Sequence, residues 1–360
     1  MNWSENLTDV VSHVRSTLND NELALADFLQ AMQDRYFGLP RDELLNLTAR
    51  SLLSSVAAQR GGRVHIPGKR RIITITGESN AGKTRALVEH FVRAKELQPY
   101  LDENGNEINP VLPFDAPSPC PPRLLAIAGL KALGLRVNAN MGEGEAWDAF
   151  RTALKAHKIM VLCIDEAQHA IDTANVLERD KIANALKLLV QMPDWPLRLV
   201  LVGVPPLDGF VASHKQLRER NYPIRFDPLE STEAIATVTD KLSKVIRDQG
   251  GLDMSPDLSS PDFAPRLLHA ASSEFGGVVQ LIRDATEIAL RDGNDTVTIE
   301  EFATAYKASS GCRPQENVFK ALNWSEIDVA SASLREGVAQ AQRVSKARRH
   351  AGELSYGERP

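Results

Sequence analysis

The sequence predicts an α/β protein: a P-loop core on a five-stranded parallel sheet, followed by an all-helical lid and preceded by an N-terminal helical segment. Three observations lead there. From residue 71 to 229, short β-branched or apolar runs alternate with helix-compatible stretches, the pattern of a parallel sheet covered by helices. The run "ITITGESNAGKT" (73–84) joins a strand to a helix through a loop with glycine at both ends. Beyond residue 230 the strand signals vanish and amphipathic helices follow one another.

In chain order, residues 1–65 read as an N-terminal helical region and basic linker. Leu7, Val10, Val11, Val14 and Leu18 recur at helical spacing, and Leu44, Leu45, Leu47, Leu52, Leu53 and Val56 mark a further helix. "FGLPRDE" divides the two, because proline resists a helix interior. This region is expected to be either a helical cap on the core or a docking module for a partner protein. "RGGRVHIPGKRR" then supplies Arg60, Arg63, Lys69, Arg70 and Arg71, which suits a solvated linker or a contact with a nucleic-acid backbone.

Residues 66–229 form the predicted α/β core, with strands at 71–76, 109–114, 159–164, 198–203 and 223–227. The helical patterns "PRLLAIAGLKALG" and "GEGEAWDAFRTALKAH" lie between the second and third strands. Residues 230–312 form the lid, with helices at 232–248, 263–274, 277–291 and 299–309. Its "TIEE" (298–301) is a capping box in which Thr298 caps the helix and Glu301 reaches back. Residues 313–360 are expected to be a flexible basic tail; its Arg343, Lys346, Arg348 and Arg349 suit contact with DNA or a protein partner, or plain solvation.

Composition excludes several classes. The chain has 360 residues, 43% of them apolar and 25% charged, an ordinary globular mixture that allows two or three domains. A net charge of −5 gives no global basic field, so a nucleic-acid contact has to come from a local patch. Cys120, Cys163 and Cys312 form no CxxC pair, which argues against zinc or a disulfide framework. No apolar run approaches the roughly 20 residues of a membrane span, and the amino terminus lacks a basic-then-apolar leader. A cytoplasmic protein with no membrane contact is expected.

The loop carries the chemistry. Gly77, Gly82, Lys83 and Thr84 satisfy GxxxxGK[ST] in the strand–helix setting the motif requires. Gly77, Glu78, Ser79, Asn80, Ala81, Gly82, Lys83, Thr84 and Arg85 are therefore expected to surround a triphosphate. Glycine lets successive N–H groups face inward, and the following helix N-terminus adds partial positive charge. Lys83 supplies a point charge to the β and γ phosphates, and the Thr84 hydroxyl takes one position on Mg²⁺.

"KIMVLCIDEAQHA" (158–170) supplies the second half. Its apolar run ends in Asp165 and Glu166, which puts two carboxylates at the carboxyl end of a buried strand, where open α/β sheets bind ligands. Asp165 is expected to hold Mg²⁺, and Glu166 to act as general base on the attacking water, so ATP hydrolysis is the expected activity. Val204, at the end of "LRLVLVG", has no polar side chain with which to sense the γ phosphate. Arg218 and Arg220, just before the last strand, either reach a neighbouring subunit's nucleotide as an arginine finger, with Arg220 the stronger candidate, or are helix-terminal charges favoured by the dipole.

Read in order, "GESNAGKT", "CIDEAQHA", "VLVGVPPL", "QLRERNYPIRFDPL" and "EFGGVVQLIRDATEIALRDGNDTVTIEEF" resemble the AAA+ ATPases, and more narrowly the TniB-type transposition helpers, relatives of TnsC. The resemblance covers roughly residues 60 to 310. It implies ATP and Mg²⁺ as cofactors, self-association into a ring or helical filament on duplex DNA, and recruitment of an integrase-type transposase, with a TniQ-like adaptor as a further partner. Lys83, Thr84, Asp165 and Glu166 match the family's nucleotide motifs residue by residue. Two positions depart from it: Val204, where a polar sensor is common, and Gln280, near the usual lid arginine. Arg283, one turn later, either substitutes at the nucleotide or is a surface lid arginine. The resemblance also implies that the duplex runs along elements after the second strand, which makes Arg123, Lys131 and Arg136 the DNA candidates, each either a contact or solvated surface.

Two other readings compete. An ATPase adaptor acting on protein partners without DNA carries a similar "DEAQ" motif. A nucleotide switch that hardly turns over is disfavoured by Glu166.

Overall fold

A computed structural model describes residues 3–57, 71–138, 140–172, 175–195, 197–229 and 232–329. The linker's Arg60, Arg63, Lys69 and Arg70 and the tail's Arg343, Lys346, Arg348 and Arg349 lie outside them. The chain forms two compact units. Residues up to Phe37 join those from Leu229 onward, and Gly38–Pro228 form the second unit. The division falls within the predicted break "FGLPRDE". Of the leading helices α1 (Trp3–Ser16), α2 (Asp20–Asp34) and α3 (Pro40–Ala57), the first two therefore go with the lid and the third with the core.

The core unit holds β1 (Ile72–Gly77), α4 (Lys83–Leu87), the short strands β2 (Tyr100–Leu101) and β3 (Glu107–Ile108), and β4 (Val111–Asp115). It continues through α5 (Pro122–Ala132), α6 (Glu143–Ala156), β5 (Val161–Asp165), α7 (His169–Asp172) and α8 (Val176–Val190). It ends with β6 (Arg198–Gly203), α9 (Pro206–Ser213), α10 (Lys215–Arg218) and β7 (Asn221–Phe226). The main sheet has five strands in the order β4-β5-β6-β1-β7, and every pairing is parallel. This is the predicted P-loop α/β architecture.

Burial explains the order. β1, β5 and β6 are buried at every residue, as unbroken apolar runs in a parallel sheet require, and they sit inside. β4 and β7 contain Pro113 and Pro223, which cannot donate to a ladder, and they are the two edges. β7 begins two residues earlier than its apolar run suggests, because Asn221 and Tyr222 pair with Ile72 and Ile73 of β1. The β2–β3 hairpin was not expected; Asp102 shapes its turn by accepting from the Asn104 and Asn106 amides, both at 2.9 Å.

Helices α5 and α6 cover the sheet as their amphipathic patterns predict. Gly129 in α5 lies against the Phe150 ring of α6, and a Cβ there would land on the ring. Arg71, expected in a solvated linker, is instead buried in front of β1, with Nη1 donating to Val190 O at 3.0 Å. Arg198 is buried beside it and donates from Nε and Nη2 to Ser55 Oγ in α3. Burial, then repulsion from Arg71, brings the Arg198 guanidinium pKa down to about 10.

The lid unit contains α11 (Thr232–Ser243), which runs on through a π-helical turn at Lys244–Gln249, then α12 (Phe263–Ala270), α13 (Phe275–Asp292) and α14 (Ile299–Ser310). The capping box forms as expected: Thr298 N donates to Glu301 Oε2 at 2.8 Å, and Glu300 N to Thr298 Oγ1 at 3.1 Å. Strands do not vanish altogether, because β8 (Asp253–Met254) and β9 (Thr296–Val297) make a short parallel pair. Nor does the packed lid stop at 312: Val318 and Phe319 are buried in its core, where Phe319 meets Phe263, Phe302 and Tyr306. Leu29 and Met32 of α2 join the same core. Among the described residues no helix is long and apolar enough to cross a membrane.

Replacing Phe150 with alanine is expected to destabilise the protein by about 3–5 kcal/mol, and Gly129→Ala by about 1–3 kcal/mol through overpacking against the same ring. Urea unfolding of both variants measures this.

Candidate nucleotide-binding site

The phosphate loop leaves β1 at the carboxyl edge of the sheet. Gly77 has no room for a side chain, since a Cβ would sit 2.6 Å from Phe226 O and 2.8 Å from Phe226 Cβ. Asn80 at φ 65° and Gly82 at φ 93° adopt left-handed backbone, which asparagine and glycine tolerate best. These two residues curl the loop before α4 begins at Lys83. Lys83 is buried, and its Nζ donates to Glu78 O across the loop at 2.7 Å. Arg85 follows on α4, half-buried.

A residue that the sequence reading missed braces this loop. Arg41, in the first turn of α3, donates to Ala81 O at 2.7 Å and to Asp227 O at 3.1 Å. Its guanidinium lies 4.1 Å from the centre of the Phe226 ring, a favourable cation–π distance. The loop is thus fastened to the end of β7 by a side chain from far upstream. The "PRDE" of a helix start was the available signal, but nothing in it says what the arginine touches.

The acidic pair takes two environments from adjacent positions. Asp165 is buried at the end of β5; it accepts from Thr84 Oγ1 at 2.6 Å through Oδ2 and from the Glu166 amide at 2.8 Å through Oδ1. Glu166 is exposed, at a left-handed φ of 51°. The Ala167 amide donates to Val202 O at 2.8 Å, which fastens the turn to β6. Gln168, also missed in the sequence, is 5% exposed. It donates from Nε2 to Glu166 Oε2, while its Oε1 accepts the Val204 amide at 3.3 Å. A third unforeseen group ties the end of β1 to α9: Thr76 Oγ1 and Arg225 Nε both donate to Asp208 Oδ2, at 2.9 and 3.1 Å. The three cysteines are free and buried. Burial and the neighbouring Asp165 push the Cys163 thiol up, so it stays protonated.

The residues fit a magnesium–triphosphate group. A left-handed curl, a lysine and a helix start offer donors to phosphate, and Thr84 Oγ1 with Asp165 Oδ2 presents adjacent hard oxygens of the kind Mg²⁺ takes.

The remaining predicted residues lie elsewhere. Arg218 Nη1 donates to Ala212 O at 2.8 Å and Arg220 Nη1 to Gln216 O at 2.6 Å, while Arg220 O accepts the amides of Arg71 and Ile72. Arg123 is half-buried, with Nε on Met141 O at 2.6 Å, whereas Lys131 and Arg136 are exposed. Arg283 is not a surface arginine: it is buried in the lid unit, donates to Arg35 O at 2.5 Å and lies 5.6 Å from the Phe37 ring centre. Gln280 is exposed and donates to Asp284 at 2.7 Å.

A phosphate loop after inner strand β1, an acidic pair at the end of β5 with β6 between the two, and a separate helical lid define a P-loop ATPase of the AAA+ class. Solved structures share the fold. Cdc6p from Pyrobaculum aerophilum is 15% identical over 76% of this chain and 68% of its own, at a TM-score of 0.53. The Orc1 protein of Aeropyrum pernix, determined in complex with DNA, is 17% identical over 79% of this chain and 69% of its own, at 0.54. No curated protein matches the sequence. Residues 60–231 match the family described as bacterial TniB protein. That match covers a little under half of the chain, and together with the shared fold it supports a TniB-type AAA+ ATPase over this stretch.

Arg41→Ala is expected to speed amide hydrogen exchange at residues 78–82 and leave β4 and β5 unchanged, since the substitution removes the brace without touching the sheet interior. Exchange mass spectrometry of the full chain checks it.

Proposed function

We propose that this protein is an ATP-dependent transposition regulator that assembles on duplex target DNA in its ATP state and recruits or activates an integrase-type transposase, with hydrolysis resetting the assembly. The observation that carries the reading is the TniB match over residues 60–231, which contains the loop and acidic pair whose geometry suits Mg²⁺-dependent hydrolysis.

Each side chain has a task in this scheme. The loop amides and Lys83 bind and orient the phosphates, with Lys83 exchanging its bond to Glu78 O for a phosphate oxygen. Thr84 and Asp165 hold Mg²⁺, which when bound neutralises developing charge. Glu166, exposed and next to buried Asp165, accepts the proton of the attacking water at a carboxylate oxygen. Arg220 completes the site of a neighbouring copy in a head-to-tail assembly, which makes a lone protomer slow. Lys131 and Arg136 are exposed and suited to backbone phosphates; Arg123 is held by Met141 O, which leaves the outer two to meet the duplex. The Orc1 neighbour's structure with DNA is in keeping with this use of the fold. A TniQ-like adaptor and a cytoplasmic location belong to the same reading.

Fluorescence anisotropy with duplex DNA tests it. Binding is expected only with ATP and to weaken steeply with salt. Lys131→Ala and Arg136→Ala, each removing the partner of one phosphate, should each make the log–log salt slope shallower by about 0.9. Salt-insensitive or absent binding would favour a protein-directed adaptor. Arg220→Ala is expected to reduce the ATPase of the assembled protein by about 10³-fold or more, and an unchanged rate contradicts the finger assignment.

A further inference from the structure

Gln168 is buried yet uses both ends of its side-chain amide at the rim of the candidate site. Nε2 donates to the carboxylate of Glu166, and Oε1 accepts the main-chain N–H of Val204, just past the end of β6. Gly203 is built around this arrangement, because a Cβ there would collide with Gln168 Oε1. The backbone agrees: the Ala167 amide on Val202 O and the Gln168 amide oxygen on Val204 N stitch the 165–168 turn to β6 on either side of Gly203. Val204 brings no polar side chain to this spot, but its main chain is recruited through the glutamine.

We propose that Gln168 is a positioning residue for ATP hydrolysis, holding the Glu166 carboxylate at a fixed place relative to the end of β6; this rests on the reading of Glu166 as the base. An exposed glutamate on a left-handed residue has three side-chain torsions to sample. A donor on Oε2 confines them and leaves Oε1 to meet water. The donor is itself immobilised by burial and by Val204 N, so the restraint passes to the sheet and not to solvent.

Two near-isosteric variants separate this role from space filling. Gln168→Met keeps the volume and loses both bonds. Gln168→Glu keeps an acceptor for Val204 N but loses the donor and sets a like charge beside Glu166. Gly203→Ala displaces the Gln168 amide from outside. All three are expected to lower kcat for ATP by roughly 10- to 100-fold, part of what a general base contributes, with KM and the affinity for a fluorescent ATP analogue within about twofold, because the restraint acts on the base and not on the phosphate loop. A wild-type kcat in Gln168→Met, or a loss confined to nucleotide affinity, overturns the proposal. A second readout needs no turnover. The Gln168 side-chain amide resonance, assigned by its absence in Gln168→Met, is expected to shift in Glu166→Ala, and no shift overturns the proposal. Hydrolysis unaffected by Glu166→Gln sinks the assignment of the base; hydrolysis abolished there but kept in Gln168→Met sinks the positioning role alone.

Discussion

The structure depends on one constraint: seven residues, Gly77 to Lys83, turn back on themselves at the carboxyl edge of a sheet whose central strands have no exposed side chain. Loop amides meet an anion only if the loop cannot relax. The buried strand before it, α4 after it, and the close approach of Phe226 that forbids a side chain at Gly77 set its ends. Left-handed backbone at Asn80 and Gly82 shapes its middle, and Arg41 fastens Ala81 to the end of β7. A local conformation of low intrinsic stability is thereby held by surroundings that over-determine it.

The same principle divides the labour of two adjacent carboxylates. Asp165 is the last residue of β5, buried and bonded to Thr84, so its position is as rigid as the sheet. Glu166 turns through left-handed backbone into the open, where its carboxylate is met by the Gln168 amide. The first environment suits a metal ligand, which should not move. The second suits a proton acceptor, which needs water and a fixed direction. At the end of β1, Thr76 and Arg225 converge on Asp208, so the sheet's rim is crosslinked by side chains near the loop's start.

Much of this is legible in the sequence because it is local or periodic. The phosphate loop, the DE pair, the five strands and the capping box at Thr298 each show within about a dozen residues. What escapes depends on partners far away in the chain. Arg71 reads as one more basic linker residue, and only its meeting with Val190 O makes it buried. Arg41 and Ala81 are brought together by the docking of α3, and Gln168 and Val204 by the parallel pairing of β5 and β6. The lid extends further than its helical periodicity suggests for the same reason: Phe319 lies in a weakly amphipathic stretch, and its burial comes from packing against Phe263 and Phe302. Pro113 and Pro223 are the exception, sequence marks of edge strands whose value shows once the strand order is known.

Calorimetric titration of the full chain with ATP, with and without Mg²⁺, tests most directly whether a curled loop, Lys83 and the Thr84–Asp165 pair hold a metal triphosphate. Saturable binding strengthened by Mg²⁺ is predicted, with Lys83→Ala weakening it by about 1.5–3 kcal/mol, the worth of a hydrogen bond to a charged group. The Mg²⁺ enhancement should disappear in Asp165→Asn. Equal affinity with and without the metal, or binding indifferent to Lys83, would contradict the account.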